Sequence, residues 1–440
     1  MEKRGRLAEL FRFLQDPHLV ARFQHLCGVR GTFSSRAFHH QPAAEAAGVR
    51  DRGAESKGEL DAAAGGSEGH TRTKRTSKPL RRNSLTGDAG QEFVVENRFL
   101  YYLFTFGTEL GNELFYITFF PFLLWNVDAL VSRRLIMVWV WVMYVGQCTK
   151  DLLGWARPAS PPVVKVEVFY NSEYSMPSTH AMSGTAIPFA LFFLTCGRWQ
   201  YSSTLGLVLA LCWCLLVCVS RIYMGMHSLL VTRTRVHVSP THTHTQHQPH
   251  LHWHTFIDVM AGVLYSALIL LFLLPALDAI DDFVLTGAYA PAAVAAVHAG
   301  LGLLCFTLDA WSTSRADTAQ ILGSGAGVAL GSRVNRVLGL LPDPPLEHLP
   351  LAPPALGAGP LVAAALRWAA GVLVLVATRA LMKALTIPLL CRVLAVHEGD
   401  VRRARQHAEV EMPYRYMVYG AVGFNVLFLA PLLFRALHLS

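Results

Sequence analysis

Charged residues are scarce in this chain: of its 440 residues, only 15% are Asp, Glu, Lys or Arg. A soluble protein usually carries about 25%. Apolar residues make up 52% of the sequence, and residues 204–219 and 420–434 contain no charge at all. Because about 20 apolar residues cross a bilayer as a helix, the composition argues against a soluble enzyme and predicts a multi-pass membrane protein.

Three further features are missing, and each argues against a class of protein. The first 90 or so residues contain no apolar core, so we expect no cleavable signal peptide. The eight cysteines follow neither a disulfide nor a zinc-binding pattern, and Cys212, Cys214 and Cys218 fall in an apolar run where a thiol acts as a small hydrophobic group. The segment GSGAG at 323–327 lacks the Gly-Lys-Ser/Thr ending of a phosphate-binding loop, which favours close helix packing instead.

Composition divides the chain into five parts. Residues 1–27 predict a short amphipathic helix, and residues 28–92, rich in Gly, Ala, Ser and charge, predict a disordered basic linker. Residues 93–230 form the first part of a membrane domain. Residues 231–257 are an insert rich in His and Thr, and residues 258–440 form the rest of the membrane domain with additional C-terminal spans.

The membrane domain is predicted to consist of apolar helices. Glu109 and Glu113, one helical turn apart in the first span, should face the bundle interior and pair with a cation or a hydroxyl, because a carboxylate is costly in lipid. The predicted spans are residues 99–125, 134–149, 183–197, 204–220, 258–275, 286–307, 320–341, 360–378, 380–396 and 415–435.

The net charge of +8 comes largely from the N-terminal part and from residues 392–405. Next to apolar spans, such basic residues favour anionic membrane lipids as partners over nucleic acid. Ser84 follows Arg81 and Arg82 in the sequence RRNS, which suits phosphorylation by a basophilic kinase. A solvated basic linker explains the same residues equally well.

The insert at 231–257 differs from everything around it. It contains Thr-His-Thr-His-Thr at 241–245 and several further histidines. A repeat of the dinucleotide AC, when translated, gives alternating Thr and His. This favours the interpretation that the insert is non-coding sequence included in the protein by an error in the gene model. A genuine lineage-specific loop is the main alternative, and a metal site a third, since histidine-rich tracts can bind metal.

Three short segments carry the chemistry of the chain. They read KDLLGWARP at 150–158, PSTH at 177–180 and SRIYMGMH at 220–227. Together they supply three cations, a hydroxyl and two histidines, with no metal-ligand set and no cofactor motif. This combination next to apolar spans predicts removal of a phosphate group from an ester without a metal or other cofactor.

Each residue type can assist one step of phosphate-ester cleavage, either by binding the charged phosphate oxygens or by transferring a proton or attacking phosphorus. Arg157 and Arg221 can each grip two non-bridging oxygens, and Lys150 adds a point charge. The Ser178 hydroxyl and backbone N–H groups at a helix start can complete the phosphate site. One histidine can protonate the leaving oxygen, and the other can attack phosphorus. Such a nucleophile works best when a carboxylate orients it, as in a serine triad.

These segments resemble the three signature motifs of the type 2 phosphatidic acid phosphatase superfamily, K-x6-RP, PSGH and SR-x5-H-x3-D. Thr179 replaces the glycine of the second motif, which fits the long-chain-base phosphatase branch. The sequences FGTELGNELFY at 106–116, VFYNSEYSMPSTHAM at 168–182, DAWSTSR at 309–315 and RRNSLTG at 81–87 are also similar to that branch. The resemblance covers nearly the whole chain apart from most of 28–80 and 231–257.

The resemblance implies an all-α, polytopic transmembrane helical bundle in the endoplasmic reticulum membrane. It implies a phosphoric monoester hydrolase that acts on sphingosine-1-phosphate and related long-chain-base phosphates. His227 would be the nucleophile and His180 the general acid. The phosphate would be bound by Lys150, Arg157, Ser178, Thr179 and Arg221.

One position departs from the superfamily pattern. The aspartate expected four residues after His227 is replaced by Val231, and the matching sequence resumes at Asp258, after the insert. We therefore expect Asp258 to orient His227 less well, and removal of residues 231–257 to raise activity. Two alternatives stay open: a broader lipid or isoprenoid phosphate phosphatase, and a lipid-phosphate-binding membrane protein whose catalysis is impaired by the insert.

Overall fold

The computed structural model of the protein describes most of the membrane domain and residues 17–31 near the N-terminus. Among these residues the chain is mainly helical, and the predicted helical bundle is confirmed. Residues 1–16, the linker from 32 to 92 with Ser84, and the insert at 231–257 lie outside the described part. The described residues are 17–31, 93–155, 157, 160, 162–167, 174–227, 258–308, 314–344, 346–352, 357–394 and 408–439.

Twelve α-helices and two strands order the described residues. The elements are α1 (Pro17–Leu26), β1 (Val29–Gly31), β2 (Phe93–Val95), α2 (Arg98–Glu109), α3 (Glu113–Asn126), α4 (Ala129–Leu153), α5 (Thr179–Thr195), α6 (Ser203–Tyr223), α7 (Asp258–Thr286), α8 (Ala290–Leu308), α9 (Ser314–Leu338), α10 (Ala358–Val393), α11 (Ala408–Leu427) and α12 (Leu429–Ala436). Five segments are long and apolar enough to span a membrane, namely α4, α6, α7, α10 and Glu409–Ala436, which covers α11 and α12.

Helix α4 forms the centre of the bundle. It begins after Asp128, whose side chain accepts a hydrogen bond from the Val131 N–H at 3.2 Å and so satisfies a free donor of the first turn. It ends at Gly154, whose φ of +61° suits a residue without a Cβ. Lys150 therefore lies in the last turn of α4, where its charge also complements the helix dipole.

The main apolar core lies where α3, α4, α5 and α7 meet. Phe120, Leu135, Met182 and Leu277 are all buried in this core. A hydrogen bond from the Ser266 hydroxyl to the Met182 carbonyl, 2.8 Å long, ties α7 to α5. The first turn of α5, which carries one of the predicted motifs, is thereby held against both α4 and α7.

Small residues bring α9 and α11 into close contact, as the GSGAG segment predicted. A Cβ at Gly327 would overlap the Gly420 carbonyl of α11, and one at Gly323 would overlap the backbone at Tyr416. A Cβ at Gly423 would in turn lie 2.6 Å from the Ser324 carbonyl oxygen. The helix-packing prediction for residues 323–327 is confirmed.

The first predicted span, residues 99–125, is two helices instead of one. The chain turns at Leu110, Gly111 and Asn112, between α2 and α3. At this break a Cβ built on Gly111 would lie only 2.5 Å from Cδ2 of His180. The helix is interrupted where the backbone passes the His180 ring, a contact that an apolar pattern does not encode.

The predicted spans 360–378 and 380–396 are also wrong as separate helices, because α10 runs unbroken from Ala358 to Val393. Arg379, which interrupts the apolar run, lies 3.4 Å from a Glu113 carboxylate oxygen. The Tyr419 hydroxyl donates to the same oxygen at 2.6 Å. Glu113 therefore has the predicted cation and hydroxyl partners, but it is half-exposed, and Glu109 is exposed on the other side of the helix break.

Part of the predicted N-terminal linker is ordered. Residues 29–31 form β1, which pairs antiparallel with β2 so that Gly31 lies opposite Phe93. Gly28, with a φ of +82°, makes the turn from α1 into this strand. The linker prediction from residue 28 is therefore wrong for residues 29–31, because tertiary pairing orders a stretch that looks irregular in sequence.

Candidate active site

The three predicted motifs come together at one end of the bundle. Lys150 lies in the last turn of α4, Ser178 caps the start of α5, and the segment from Arg221 to His227 begins in the last turn of α6 and continues past its end. Asp258, the first residue of α7, joins them. Helix ends that are far apart in sequence thus surround a single buried polar site.

Two of the three predicted cations are almost completely buried. Lys150 is 1% exposed, and its ammonium donates to the Thr179 hydroxyl at 3.1 Å. Arg221 is 0% exposed, and its Nη1 donates to Glu167 at 2.7 Å. Its Nε and Nη2 have no hydrogen-bond partner within the described residues. A buried guanidinium with two N–H donors to spare is suited to bind two oxygens of a phosphate group.

Arg157 is the third cation of the site. Its Nη1 donates to the Met226 carbonyl at 3.0 Å, one residue before His227. This bond links the end of the first motif to the end of the third. Arg157 is only partly buried, so it lies at the edge of the site.

Ser178 and Thr179 occupy the start of α5. The Ser178 hydroxyl accepts from the Ala181 N–H at 3.4 Å, a long helix cap, and its proton can still be donated to a phosphate oxygen. Both side chains are buried. Backbone N–H groups in the first turn of a helix favour anions, so the predicted hydroxyl and the helix start lie on the same side as the cations.

The two histidines have different neighbours. His180 Nε2 lies 2.8 Å from the Asn112 side-chain oxygen, and Nε2 can donate to that oxygen. His227 Nδ1 lies 3.7 Å from Asp258 Oδ2, which is near but longer than a hydrogen bond. Burial lowers the pKa of His227 well below its ordinary value, and Arg157, Arg221, Lys150 and His180 lower it further. His227 is therefore neutral near pH 7, as a nucleophile requires.

Asp258 lies at the site although the insert precedes it in the chain. The Ser175 hydroxyl donates to Asp258 Oδ2 at 2.5 Å, and the Ser178 N–H donates to the Asp258 carbonyl at 3.2 Å. The carboxylate is thus fixed by the segment just before α5. Asp258 therefore lies close to His227 despite the insert between them in the sequence. The distance from His227 Nδ1 to Asp258 Oδ2, 3.7 Å, is only slightly longer than a hydrogen bond.

Several residues of the site received no role from the sequence. Asn112 contacts His180, Glu167 binds Arg221, and Ser175 binds Asp258. Gln24 of α1 donates to the Val164 carbonyl at 2.7 Å and to the Tyr223 carbonyl at 2.8 Å. Asn112 and Ser175 lie in the stretches that resemble the family, but nothing in their spacing indicates a partner.

A cavity of about 340 Å³ adjoins the site. Thr179, His180, Gln147 and Glu113 line it where α3, α4 and α5 reach the site. Its other walls are mostly apolar and come from α3, α4, α9, α10 and α11. A cavity with a polar end beside the cations and an apolar remainder fits a lipid with a charged head group.

No cluster of three or more His, Cys, Asp or Glu side chains suited to a metal ion occurs in the part of the chain that the structure describes.

One protein-family model matches the part of the chain that holds most of the candidate site. The model of the PAP2 superfamily matches residues 121–230, the stretch that holds Lys150, Ser178, His180, Arg221 and His227. No solved structure matches the chain significantly.

Relatives that match over the full length of the chain show which family within this superfamily it belongs to. Sphingosine-1-phosphate phosphatase 1 of Mus musculus is 50% identical over 99% of both chains. Sphingosine-1-phosphate phosphatase 2 of Homo sapiens is 39% identical over 98% of this chain and 100% of its own. Lipid phosphate phosphatase delta of Arabidopsis thaliana is 25% identical over 39% of this chain and 36% of its own. The chain belongs to the sphingosine-1-phosphate phosphatase family within the PAP2 superfamily, a superfamily of phosphoric monoester hydrolases.

Proposed function

We propose that this protein hydrolyses sphingosine-1-phosphate and related long-chain-base phosphates through a phosphohistidine intermediate on His227. The observation that carries the proposal is the arrangement of Lys150, Arg157 and Arg221 around two buried imidazoles. Cations grouped in this way stabilise the charge on the non-bridging oxygens of a phosphate in the transition state. The family membership of the chain supports the same substrate class.

In the first step, His227 attacks phosphorus through Nε2, because its Nδ1 faces Asp258. The N–P bond forms as the bond from phosphorus to the lipid oxygen breaks. His180 gives its proton to that oxygen, which leaves as an alcohol. Binding of the phosphate dianion beside the three cations favours the protonated form of His180 that this step needs.

In the second step, water attacks the phosphorus of the phosphohistidine. His180, now neutral, takes a proton from the water, and the N–P bond breaks to release inorganic phosphate and regenerate His227. Asp258 stabilises the positive charge on the His227 ring during both steps, as a carboxylate does in the serine triad. Because the residues supply both charge stabilisation and proton transfer, the mechanism uses no metal and no cofactor.

The lipid chain is placed in the cavity beside the site. The α4 residues Ile136, Trp139 and Met143 line it on one helix face, and Lys150 lies further along the same helix. An alkyl chain in this cavity puts its phosphate at the cations and its apolar part among helices, which lowers the cost of taking the lipid out of the bilayer.

The test uses membranes that contain the full chain and radiolabelled sphingosine-1-phosphate. We expect phosphate release without added magnesium and in the presence of a chelator. We expect His227→Ala to abolish the labelled phosphoenzyme. His180→Ala should slow formation of the phosphoenzyme by about 10²–10⁴-fold, and less with an aryl phosphate, whose leaving group needs no proton.

His298→Ala is the matched control, because His298 lies in α8 and its Nδ1 contacts the Val294 carbonyl of its own helix at 2.8 Å. Strict dependence on a divalent ion, or labelled phosphate trapped on a histidine of the His227→Ala protein, would refute the mechanism. Equal rates with isoprenoid phosphates would favour the broader lipid phosphatase. Binding without turnover would favour the catalytically impaired protein.

We also propose the membrane of the endoplasmic reticulum as the location of the protein. The five apolar segments support a multi-pass membrane protein, and the family resemblance suggests which membrane. Imaging of the tagged full chain beside a marker of the endoplasmic reticulum tests this, and accumulation at the plasma membrane would contradict it.

A further inference from the structure

Gln147 is a buried polar residue that the mechanism above does not use. It lies on α4 and is 3% exposed, and its Oε1 has no hydrogen-bond partner among the described residues. Gln147 lines the cavity together with Thr179 and His180. A buried amide oxygen without a partner is costly, so its presence at the boundary of the cavity and the phosphate site calls for a ligand that donates to it.

The position of Gln147 along α4 indicates which part of a bound lipid would carry the hydrogen-bond donor. The α4 residues Ile136, Trp139, Met143 and Gln147 line the cavity at helical spacing, and Lys150 continues the series one turn beyond Gln147. Three residues of α-helix rise about 4.5 Å. A lipid whose phosphate contacts Lys150 therefore presents to Gln147 the first carbons after the phosphate ester, before its chain enters the apolar part of the cavity.

Lipid phosphates differ at those carbons. A long-chain-base phosphate carries an ammonium on the carbon next to the one that bears the phosphate, and a hydroxyl on the carbon after that. A diacylglycerol phosphate carries ester oxygens there, which only accept hydrogen bonds. We propose that Gln147 accepts a hydrogen bond from the ammonium of the substrate and so selects long-chain-base phosphates. This inference rests on the proposed function and names what determines its specificity.

Two carboxylates that also line the cavity, Glu113 and Asp317, are weaker candidates for this contact. Glu113 already accepts from Tyr419 at 2.6 Å and lies 3.4 Å from Arg379. Asp317 accepts from Arg415 at 3.2 Å. Both are also more exposed than Gln147. They add negative charge that favours an ammonium nearby, but their oxygens are already paired with cations, whereas Oε1 of Gln147 has no partner among the described residues.

The test compares two synthetic substrates that differ in one group, 2-aminooctadecyl phosphate and octadecyl phosphate. The measured quantity is the ratio of their kcat/KM values in mixed micelles with the full chain. We expect the wild-type protein to prefer the amine. Gln147→Met, which keeps the size and removes the acceptor, should lower the ratio by about tenfold to a hundredfold, as expected for a hydrogen bond to a charged group. Gln147→Glu keeps an acceptor and should keep or raise the ratio.

Gln200→Met is the matched control, since Gln200 is exposed and contacts Pro350 beyond the far end of α5. Its ratio should equal that of the wild-type protein. An equal loss of kcat/KM on both substrates in Gln147→Met, or an unchanged ratio, would overturn the inference. If Gln147→Met does not fold, Gln147→Glu decides, and a ratio below that of the wild-type protein overturns the inference. A wild-type protein that cleaves neither substrate nor sphingosine-1-phosphate would instead refute the proposed function.

Discussion

Replacing Asp258 by Asn removes the negative charge of the carboxylate but keeps the shape of the side chain. Asn keeps an oxygen that can accept from the Ser175 hydroxyl, which now donates to Asp258 at 2.5 Å. The backbone bond from the Ser178 N–H to the Asp258 carbonyl is untouched. The Asp258→Asn protein should therefore fold and keep its lipid cavity, while the His227 ring loses the negative charge beside it.

The expected size of the effect follows from the distance. Two unit charges 3.7 Å apart attract by about 4 kcal/mol at an effective dielectric constant of about 20. The His227 ring becomes positive only as it attacks phosphorus, so this attraction acts mainly on the transition state and the intermediate. At about 1.4 kcal/mol for each factor of ten, we expect kcat to fall by about 10³-fold with little change in KM.

The assay is single-turnover formation of the phosphoenzyme from radiolabelled sphingosine-1-phosphate at matched protein amounts. Asp282→Asn is the control, because Asp282 lies on the same helix, is exposed and contacts only Thr286 among the hydrogen bonds of the described residues. A phosphoenzyme rate in Asp258→Asn within tenfold of the wild-type rate would refute the reasoning. It would mean that 3.7 Å is too far for Asp258 to act on His227 and that the insert has disabled this pair.

Four other outcomes are expected. Deletion of 231–257 leaves three residues between His227 and Asp258, and the four peptide units that join the two can span about 13–14 Å. The phosphatase activity of the deleted form should therefore equal that of the full chain or exceed it by up to about 10²-fold. A loss of activity would mean that the insert has a function. Asn112→Ala should lower kcat for alkyl phosphates more than for aryl phosphates, because it frees the His180 ring to turn. A Gly327→Leu protein should show a lower melting temperature in detergent, since α9 and α11 can no longer touch. The lowered pKa of His227 keeps its ring neutral in mild acid, so the acid limb of kcat/KM, which reports the free enzyme, should fall below pH 6.5, and a limb above that value would contradict the assignment.

The sequence predicted the parts of the site that lie in contiguous motifs. Lys150, His180 and His227 were found because three residue types that bind phosphate or transfer protons recur at fixed spacing beside apolar runs. The bundle was predictable for a similar reason, since long uncharged runs have few alternatives to a membrane helix.

Residues that act through tertiary contacts were not predictable. Asn112 is 68 positions from His180, Ser175 is 83 from Asp258, and Gln24 is 199 from Tyr223. No local pattern relates such pairs. Helix continuity failed for a related reason. Arg379 looked like the end of a span, although it pairs with a half-exposed Glu113 within one continuous helix, and the turn at Gly111 lies where the His180 ring approaches the backbone.

The short pairing of β1 with β2 has a consequence for how this protein can change. Because Gly31 lies opposite Phe93, the two positions that flank residues 32–92 are held side by side by a ladder of three residue pairs. The entropy of closing a flexible loop grows only as the logarithm of its length, so a doubling costs about 0.6 kcal/mol. A change in the number of residues between the two strands therefore need not disturb their pairing, and α1 can keep Gln24 bound to the Tyr223 carbonyl, four residues before His227.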